Sequence, residues 1–136
     1  MIIGGVAGGA STAARLRRLD EQAEIILFEK GEYISYANCG LPYYIGGVIE
    51  ERERLFVQTP ESFKARFNIE VRIKSEVKAI EPENKQVVIK DWATGKTYRE
   101  SFDKLVLSPG AEPVLPPWEG LSLIHISEPT RQAEIS

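Results

Sequence analysis

The chain has very little of several residue types, and each shortage excludes a class of protein. Its 136 residues include one cysteine and one histidine. Because a single cysteine cannot form an internal disulfide, the disulfide framework of a small secreted protein is excluded, and a reducing, cytoplasmic compartment is expected. Neither a signal peptide nor a basic tract is recognisable.

Charge and hydropathy exclude further classes. Lys and Arg number 17 against 20 Asp and Glu, a formal net charge of -3 that argues against a nucleic-acid surface. No apolar run approaches the roughly 18 residues that a membrane span needs. With 43% hydrophobic and 27% charged residues, the composition is typical of one soluble globular domain with a real core.

A glycine-rich stretch stands at the front of the chain. Residues 1–11 have the sequence MIIGGVAGGAS, which is typical of a strand, a phosphate-binding turn and a helix start. Gly4 permits the sharp turn and Gly9 permits close helix packing, although Val6 stands where the G-x-G-x-x-G pattern has its second glycine. A helical run and an apolar strand follow, and the strand ends at Glu29, which is placed to bind a ribose. This context predicts a dinucleotide site.

Two further features leave alternatives open. Arg15, Arg17 and Arg18 form either an ordinary solvated helix face or a grip for a second phosphorylated ligand. Cys39 falls in the first turn of a helix expected to start near Asn38, where free N–H groups stabilise a thiolate. The alternative is a small buried residue. Since no second cysteine stands at C-x4-C spacing, a reactive Cys39 needs a mixed disulfide with a small thiol, or a sulfenic acid.

The middle of the chain predicts one more helix and several strands. Thr59-Pro60-Glu61 is typical of a helix start, and this helix is expected to run to about Phe67. Strands are expected over 68–74, 77–80, 86–90, 96–102 and 105–107. The third and fourth of these form a hairpin around Thr94-Gly95.

Five segments together resemble one family. They are GGVAGGAS at 4–11, RLRRLD at 15–20, FEK at 28–30, SYANCGLPYYIG at 35–46 and LVLSPGAEP at 105–113. They resemble the N-terminal FAD-binding part of the coenzyme A-disulfide reductase and NADH oxidase family of pyridine nucleotide-disulfide oxidoreductases. The resemblance implies an α/β fold: a truncated three-layer FAD/NAD(P)-binding Rossmann-like domain with a small antiparallel β-meander, built from the strands between 68 and 102.

The resemblance also implies roles for single residues. Cys39 is similar to the one redox cysteine that faces the flavin and forms a mixed disulfide with coenzyme A. Implied FAD contacts are Gly4, Gly5, Val6, Ala7, Gly9, Glu29, Lys30, Val77, Ser108 and Gly110. Implied coenzyme A contacts are Ser11, Arg15, Arg18, Ser35 and Asn38, which favours phosphate binding by the arginines. No metal ligand is implied.

On this resemblance the full-length parent is a cytoplasmic, homodimeric enzyme. It is expected to pass electrons from NAD(P)H through FAD and Cys39 to coenzyme A disulfide. Alternatives within the family are an NADH oxidase or peroxidase and a CoA-persulfide reductase, and a related flavin reductase would keep Cys39 as a structural residue. An alternative from another class is a non-catalytic nucleotide-binding module. Neither nucleic acid nor a membrane is an expected partner.

The resemblance ends near residue 120. Residues 1–120 are therefore expected to be a partial FAD-binding domain, and the short first strand suggests that residues before Met1 are missing. From Leu121 to Arg131 the peptide instead resembles a translated sequencing adapter. Residues 121–136 are accordingly expected to be a non-native tail, which contains His125, the one histidine. The chain as it stands is expected to be inactive.

Overall fold

The computed structural model of the protein describes residues 1–111. Its strands are β1 (Ile2–Ile3), β2 (Ile26–Phe28), β3 (Glu70–Arg72), β4 (Ser75–Glu81), β5 (Gln86–Asp91), β6 (Thr97–Ser101) and β7 (Val106–Leu107). Its α-helices are α1 (Ala7–Leu19), α2 (Leu41–Ile45) and α3 (Pro60–Phe67), and short 3-10 turns lie at Asn38–Gly40 and Arg52–Leu55. The predictions for the tail and for the domain boundary at residue 120 lie outside the described residues.

The elements form three layers. The central sheet has the strand order β3-β2-β1-β7 with all neighbours parallel, and β4, β5 and β6 form a separate antiparallel sheet. Successive residues of β2 point to opposite faces. Leu27 packs with the helices, whereas Ile26 and Phe28 pack with the antiparallel sheet. This arrangement of helices, parallel sheet and meander confirms the predicted three-layer α/β fold.

Each face of the central sheet has its own apolar core. The helix side buries Ile2, Ala10, Ala13, Ile25, Leu27, Ile34, Phe63 and Ile69. The meander side buries Ile26, Phe28, Val87 and Ile89. Small residues on α1 let that helix approach the sheet closely, and this contact fixes the loop between β1 and α1.

One strand prediction is wrong. Residues 68–74 were assigned to the meander, but β3 pairs in parallel with β2, with Ile26 opposite Glu70. The chain between these strands contains α3, and a crossover through a helix is the connection that parallel pairing requires. The hairpin prediction is confirmed, since β5 and β6 pair in antiparallel fashion with Lys90 opposite Thr97.

The start of α3 is also confirmed. The Thr59 hydroxyl accepts a hydrogen bond from the Ser62 N–H at 3.3 Å, and the Thr59 N–H donates to the Ser62 hydroxyl at 2.9 Å. The helix ends at Phe67, and the next residue, Asn68, is its C-cap with a left-handed φ of +47°. No helix within residues 1–111 is long and apolar enough to cross a membrane. In the same range no cluster of three or more His, Cys, Asp or Glu side chains could hold a metal ion.

Candidate functional site

The glycine loop between β1 and α1 leaves no room for side chains at two positions. Gly4 has a φ of +93°, and a Cβ there would lie 2.0 Å from the Ser108 carbonyl oxygen. A Cβ on Gly9 would lie 1.7 Å from the Gly4 carbonyl oxygen. The Gly4 N–H donates to the Phe28 carbonyl at 2.8 Å. The loop therefore brings the start of α1 directly against the carboxyl end of the sheet.

The amino end of α1 fits a phosphate group. Val6 occupies the N-cap position of this 13-residue helix and makes no side-chain capping hydrogen bond. The first turn of the helix contains no acidic residue. Ala7 and Gly8 are exposed. The first N–H groups of a helix have no partner within the helix, and the helix dipole adds positive potential at this end. This end of the helix can hold a pyrophosphate between its backbone N–H groups.

Glu29 faces the same loop from the end of β2. One of its carboxylate oxygens accepts from the Gly5 N–H at 2.7 Å, and the other accepts from the Gly31 N–H at 2.7 Å. A carboxylate has about four acceptor positions, so two stay available for ribose hydroxyls. The sequence pattern predicted the position of Glu29 but not these two bonds, which fix its orientation beforehand.

Ser108 borders the loop on the β7 side. The Ser108 hydroxyl lies 2.9 Å from the Ile3 carbonyl oxygen and 3.2 Å from that of Gly4. The Ser108 N–H also donates to Ile3 at 2.8 Å. Gly110 follows with a φ of +78°. The end of β7 is therefore locked to the glycine loop.

Lys30 and Val77 lie beyond Glu29, where the meander begins. Lys30 is exposed, while Val77 is half-buried and pairs with Ile89 just before a β-bulge. The Trp92 indole donates to Glu76 at 3.0 Å and lowers the pKa of that carboxyl, and Lys78 and Lys30 lower it further. This corner thus combines an exposed cation with a backbone irregularity of the kind that often borders binding sites.

Two neighbouring clefts share Val6 and Tyr36 as lining residues. The first, which we call the carboxylate cleft, has a volume of about 310 Å³. Its other lining residues include Glu29, Gly31, Tyr33, Leu41, Arg52 and Phe56. The second, which we call the serine cleft, has a volume of about 320 Å³ and lies between α1 and α3. Its other lining residues include Ser11, Ala14, Ser35, Gln58, Phe63 and Phe67.

Cys39 itself lines neither cleft, but it lies in the segment 35–41, whose two ends do. Ser35 lines the serine cleft and Leu41 lines the carboxylate cleft. The Ser35 N–H donates to the Gly5 carbonyl at 2.8 Å, so this segment is fastened to the glycine loop. Cys39 is exposed within residues 1–111, so this part of the chain does not bury it as the alternative expects. The helix expected near Asn38 begins as a 3-10 turn, and the α-helical part starts only at Leu41.

The three arginines of α1 have different surroundings. Arg17 donates to four backbone carbonyls, those of Phe67, Asn68, Asp20 and Glu21, at 2.6–3.2 Å. It therefore ties α1 to the end of α3, a structural function that the sequence did not distinguish. Arg15 and Arg18 are exposed, and no ion pair within residues 1–111 includes either of them.

Helical spacing relates Arg15 and Arg18 to the serine cleft. They lie four and seven residues after Ser11, and this spacing places all three on one helix face. The Asn38 side chain is exposed on the segment that carries Cys39. The structure thus brings Ser11 and Ser35 together as lining residues of the serine cleft, which Arg15, Arg18 and Asn38 do not line.

Comparisons with known proteins agree with this architecture. The sequence profile of the family described as pyridine nucleotide-disulphide oxidoreductase matches residues 1–135. The coenzyme A disulfide reductase of Staphylococcus epidermidis is 48% identical over 111 residues, which are 82% of this chain and 25% of that protein. The chain therefore spans about a quarter of the length of the curated relatives that it matches.

Solved structures show the same similarity. The structure of reduced Bacillus anthracis CoADR-RHD has 59% identity and a TM-score of 0.85, over 89% of this chain and 22% of that one. The structure of a NAD-dependent persulfide reductase from A. fulgidus has 38% identity and a TM-score of 0.83, over 88% of this chain and 22% of that one. Because the family profile matches almost the whole chain, this chain belongs to the pyridine nucleotide-disulphide oxidoreductase family.

Proposed function

We propose that the chain is the amino-terminal part of an FAD-dependent oxidoreductase that passes electrons from NAD(P)H through the flavin and Cys39 to coenzyme A disulfide. The observation that carries this proposal is the exposed Cys39 on a segment whose two ends line the two clefts. One cleft is suited to the cofactor and the other to the substrate. The similarity to coenzyme A disulfide reductases supports the choice of substrate.

The proposed FAD site is the carboxylate cleft with the glycine loop. The α1 N–H groups bind the pyrophosphate and Glu29 binds the ribose, while Lys30 and the Val77 backbone border the adenine. The remaining proposed contacts are Gly4, Gly5, Val6, Ala7, Gly9, Ser108 and Gly110. Bound flavin supplies the two electrons that the disulfide takes up. NAD(P)H is the proposed donor in the full-length parent.

The proposed coenzyme A site is the serine cleft, with Ser11, Arg15, Arg18, Ser35 and Asn38 as its contacts. The Cys39 thiolate attacks one sulfur of the disulfide, a Cys39–CoA mixed disulfide forms, and one CoA thiolate leaves. Two electrons then cleave the mixed disulfide, which releases the second CoA thiolate and restores that of Cys39. With protonation of both products, one NAD(P)H and one proton yield NAD(P)⁺ and two CoA thiols.

A second candidate activity is the reduction of CoA persulfide. The similarity to a NAD-dependent persulfide reductase favours it. The same thiolate would attack the inner sulfur and release hydrosulfide. Comparing the full-length parent's turnover of CoA persulfide with that of CoA disulfide distinguishes the two activities.

We also propose that the parent is a cytoplasmic homodimer, and that residues 1–120 here are a partial FAD-binding domain followed by a non-native tail. A single cysteine supports the compartment. The adapter-like peptide from Leu121 to Arg131 supports the tail assignment, although the family profile matches residues 1–135. Sequencing the chromosomal locus tests this, since an intact reading frame encoding the peptide would contradict it.

The experiment for the main proposal is Cys39→Ser in the full-length parent. We expect the variant to keep stoichiometric flavin and to lose CoA disulfide reduction, because a hydroxyl cannot replace a thiolate in disulfide exchange. Flavin absorbance after gel filtration serves as the internal control for folding. If the Ser variant reduced CoA disulfide at the parental rate, Cys39 would have only a structural function. If the purified parent did not bind flavin, the proposal that FAD is its cofactor would be refuted.

A further inference from the structure

Arg52 is the one cationic side chain among the described residues that line the carboxylate cleft, where Glu29 and Glu32 are the carboxylates. The proposed FAD brings a pyrophosphate into this cleft, and two carboxylates in its lining disfavour that anion. Arg52 supplies charge of the opposite sign. It lies in the 3-10 turn Arg52–Leu55 and is exposed. Its contacts therefore decide whether this cation is available to a ligand.

Two stacked aromatic rings support the Arg52 guanidinium. Its central carbon lies 5.0 Å from the ring centroid of Tyr33 and 5.9 Å from that of Phe56. The two rings stack with centroids 4.9 Å apart, and both residues line the cleft. The Val57 N–H donates to the Ser35 carbonyl at 2.9 Å, which fastens the chain beside Phe56 to the segment that carries the thiol. A guanidinium on an aromatic face keeps its N–H groups directed outward in its own plane, where they can donate.

The two carboxylates of the cleft already have other partners. The Lys74 ammonium lies 2.6 Å from a carboxylate oxygen of Glu32. Lys74 is the main cause that lowers the pKa of Glu32, and the charge of Arg52 contributes least. Glu29 accepts hydrogen bonds from two backbone N–H groups. No ion pair within residues 1–111 includes Arg52. Its guanidinium is therefore available for an anionic ligand.

The amino end of α1 belongs to the same cleft. Val6, the N-cap residue of α1, lines it together with Arg52. The planar guanidinium fork matches two oxygens of a phosphate, a geometry that a lysine ammonium lacks. We propose that Arg52 binds the pyrophosphate of FAD together with the amino end of α1. This inference rests on the proposed function and adds a cofactor-binding residue that the resemblance does not imply.

The test measures how fast the full-length holoenzyme releases FAD after dilution into flavin-free buffer, followed by flavin fluorescence. We expect Arg52→Gln to release FAD about 10 to 100 times faster, which is the loss typical of one charged hydrogen-bonding group. Arg52→Lys keeps the charge without the fork and should be intermediate. Arg54→Gln is the matched control, because Arg54 belongs to the same turn, pairs with Glu51 at 3.1 Å and does not line the cleft. It should release FAD at the parental rate.

Ionic strength separates a phosphate contact from a loss of packing. Salt screens the attraction between an exposed cation and a phosphate. Raising the NaCl concentration should therefore speed FAD release from the parent more than from Arg52→Gln. A merely structural function of Arg52 would leave the same salt dependence in both proteins.

Two results would overturn the inference while leaving the proposed function intact. One is parental FAD release, or an unchanged salt dependence of release, in folded Arg52→Gln. The other is parental FAD release with a raised KM for NAD(P)H or for CoA disulfide, which would assign Arg52 to the phosphates of a different ligand. A full-length parent that binds no flavin would instead refute the proposed function.

Discussion

Arg17 and Arg18 are adjacent in α1, yet their surroundings predict different consequences of substitution. Arg18 is exposed and lies on the α1 face that carries Ser11, which lines the serine cleft. We expect Arg18→Ala in the full-length parent to raise KM for CoA disulfide by the equivalent of about 1–3 kcal/mol, because a charged hydrogen bond to phosphate is lost. Steady-state kinetics measure this effect, and a fall in kcat with KM unchanged would contradict it.

Arg17→Ala is the matched control. Four backbone carbonyls would lose their guanidinium donor, and the free energy of unfolding should fall by about 1–3 kcal/mol. Denaturant unfolding of both variants separates the two effects. The interpretation fails if Arg18→Ala is the less stable of the two.

The sequence could not distinguish these arginines. Arg15, Arg17 and Arg18 are close together in one run, and which of them reaches a carbonyl depends on where α3 ends relative to α1. That arrangement is set by packing between the helices. Glu29 was easier to predict because the distance from Gly9 fixes its place at the end of β2, although its bonds to Gly5 and Gly31 depend on the folded loop.

The glycine loop is the element on which the proposed cofactor site depends. A Cβ at Gly9 would lie 1.7 Å from the Gly4 carbonyl oxygen, whereas at Gly8 the nearest atom is the Ser108 Cβ at 3.3 Å. We expect Gly9→Ala to force α1 away from β1 and to abolish FAD binding, with a stability loss of about 1–3 kcal/mol from overpacking. Gly8→Ala should cost far less stability. Thermal unfolding of both variants without FAD tests this, and equal loss in both would contradict it.

The turn between β5 and β6 has its own pH dependence. Asp91 accepts from the Thr94 hydroxyl at 2.6 Å and from the N–H groups of Ala93 and Thr94. These bonds, that of the Thr94 hydroxyl first, lower the pKa of Asp91 below its ordinary value of 3.8. A carboxyl with a lowered folded pKa stabilises the turn above its unfolded pKa, and this contribution is lost as the pH falls through the folded pKa.

Thr94→Val should therefore raise the pKa of Asp91 towards 3.8. A pH titration of the Asp91 carboxyl carbon by NMR measures the change. Thr97→Val is the control, since Thr97 lies in β6 and makes no side-chain hydrogen bond to Asp91. An unchanged Asp91 pKa in Thr94→Val would show that the backbone N–H groups alone set it.

Element types were more predictable than their pairing. The capping box at Thr59 and the turn at Gly95 are local features, so the sequence predicted α3 and the β5–β6 hairpin correctly. The alternation in residues 68–74 predicts a half-buried strand but not its sheet, and the meander that the resemblance implies for β3 is wrong. Its partner is decided by the α3 crossover, which returns the chain alongside β2.

Within the residues that the structure describes, β7 is an edge strand of the parallel sheet. β7 pairs with β1 on one side, and its Leu107 is 58% exposed. The part of this chain that aligns with its curated relative covers 25% of that protein. We expect residues 1–136 alone to bind FAD weakly, to associate through this edge and to turn nothing over. Gel filtration with flavin absorbance and NAD(P)H consumption measure this, and stoichiometric FAD with steady turnover would contradict it.

The proposed role of Cys39 is to pass electrons from the flavin to coenzyme A disulfide, and mass spectrometry of the full-length parent tests it most directly. The oxidised parent is incubated with CoA disulfide, digested without reductant and compared with a sample that also received NAD(P)H. We predict that the peptide containing Cys39 carries one coenzyme A by disulfide linkage, and that NAD(P)H removes it. An unmodified Cys39 peptide in a parent that reduces CoA disulfide would contradict the account.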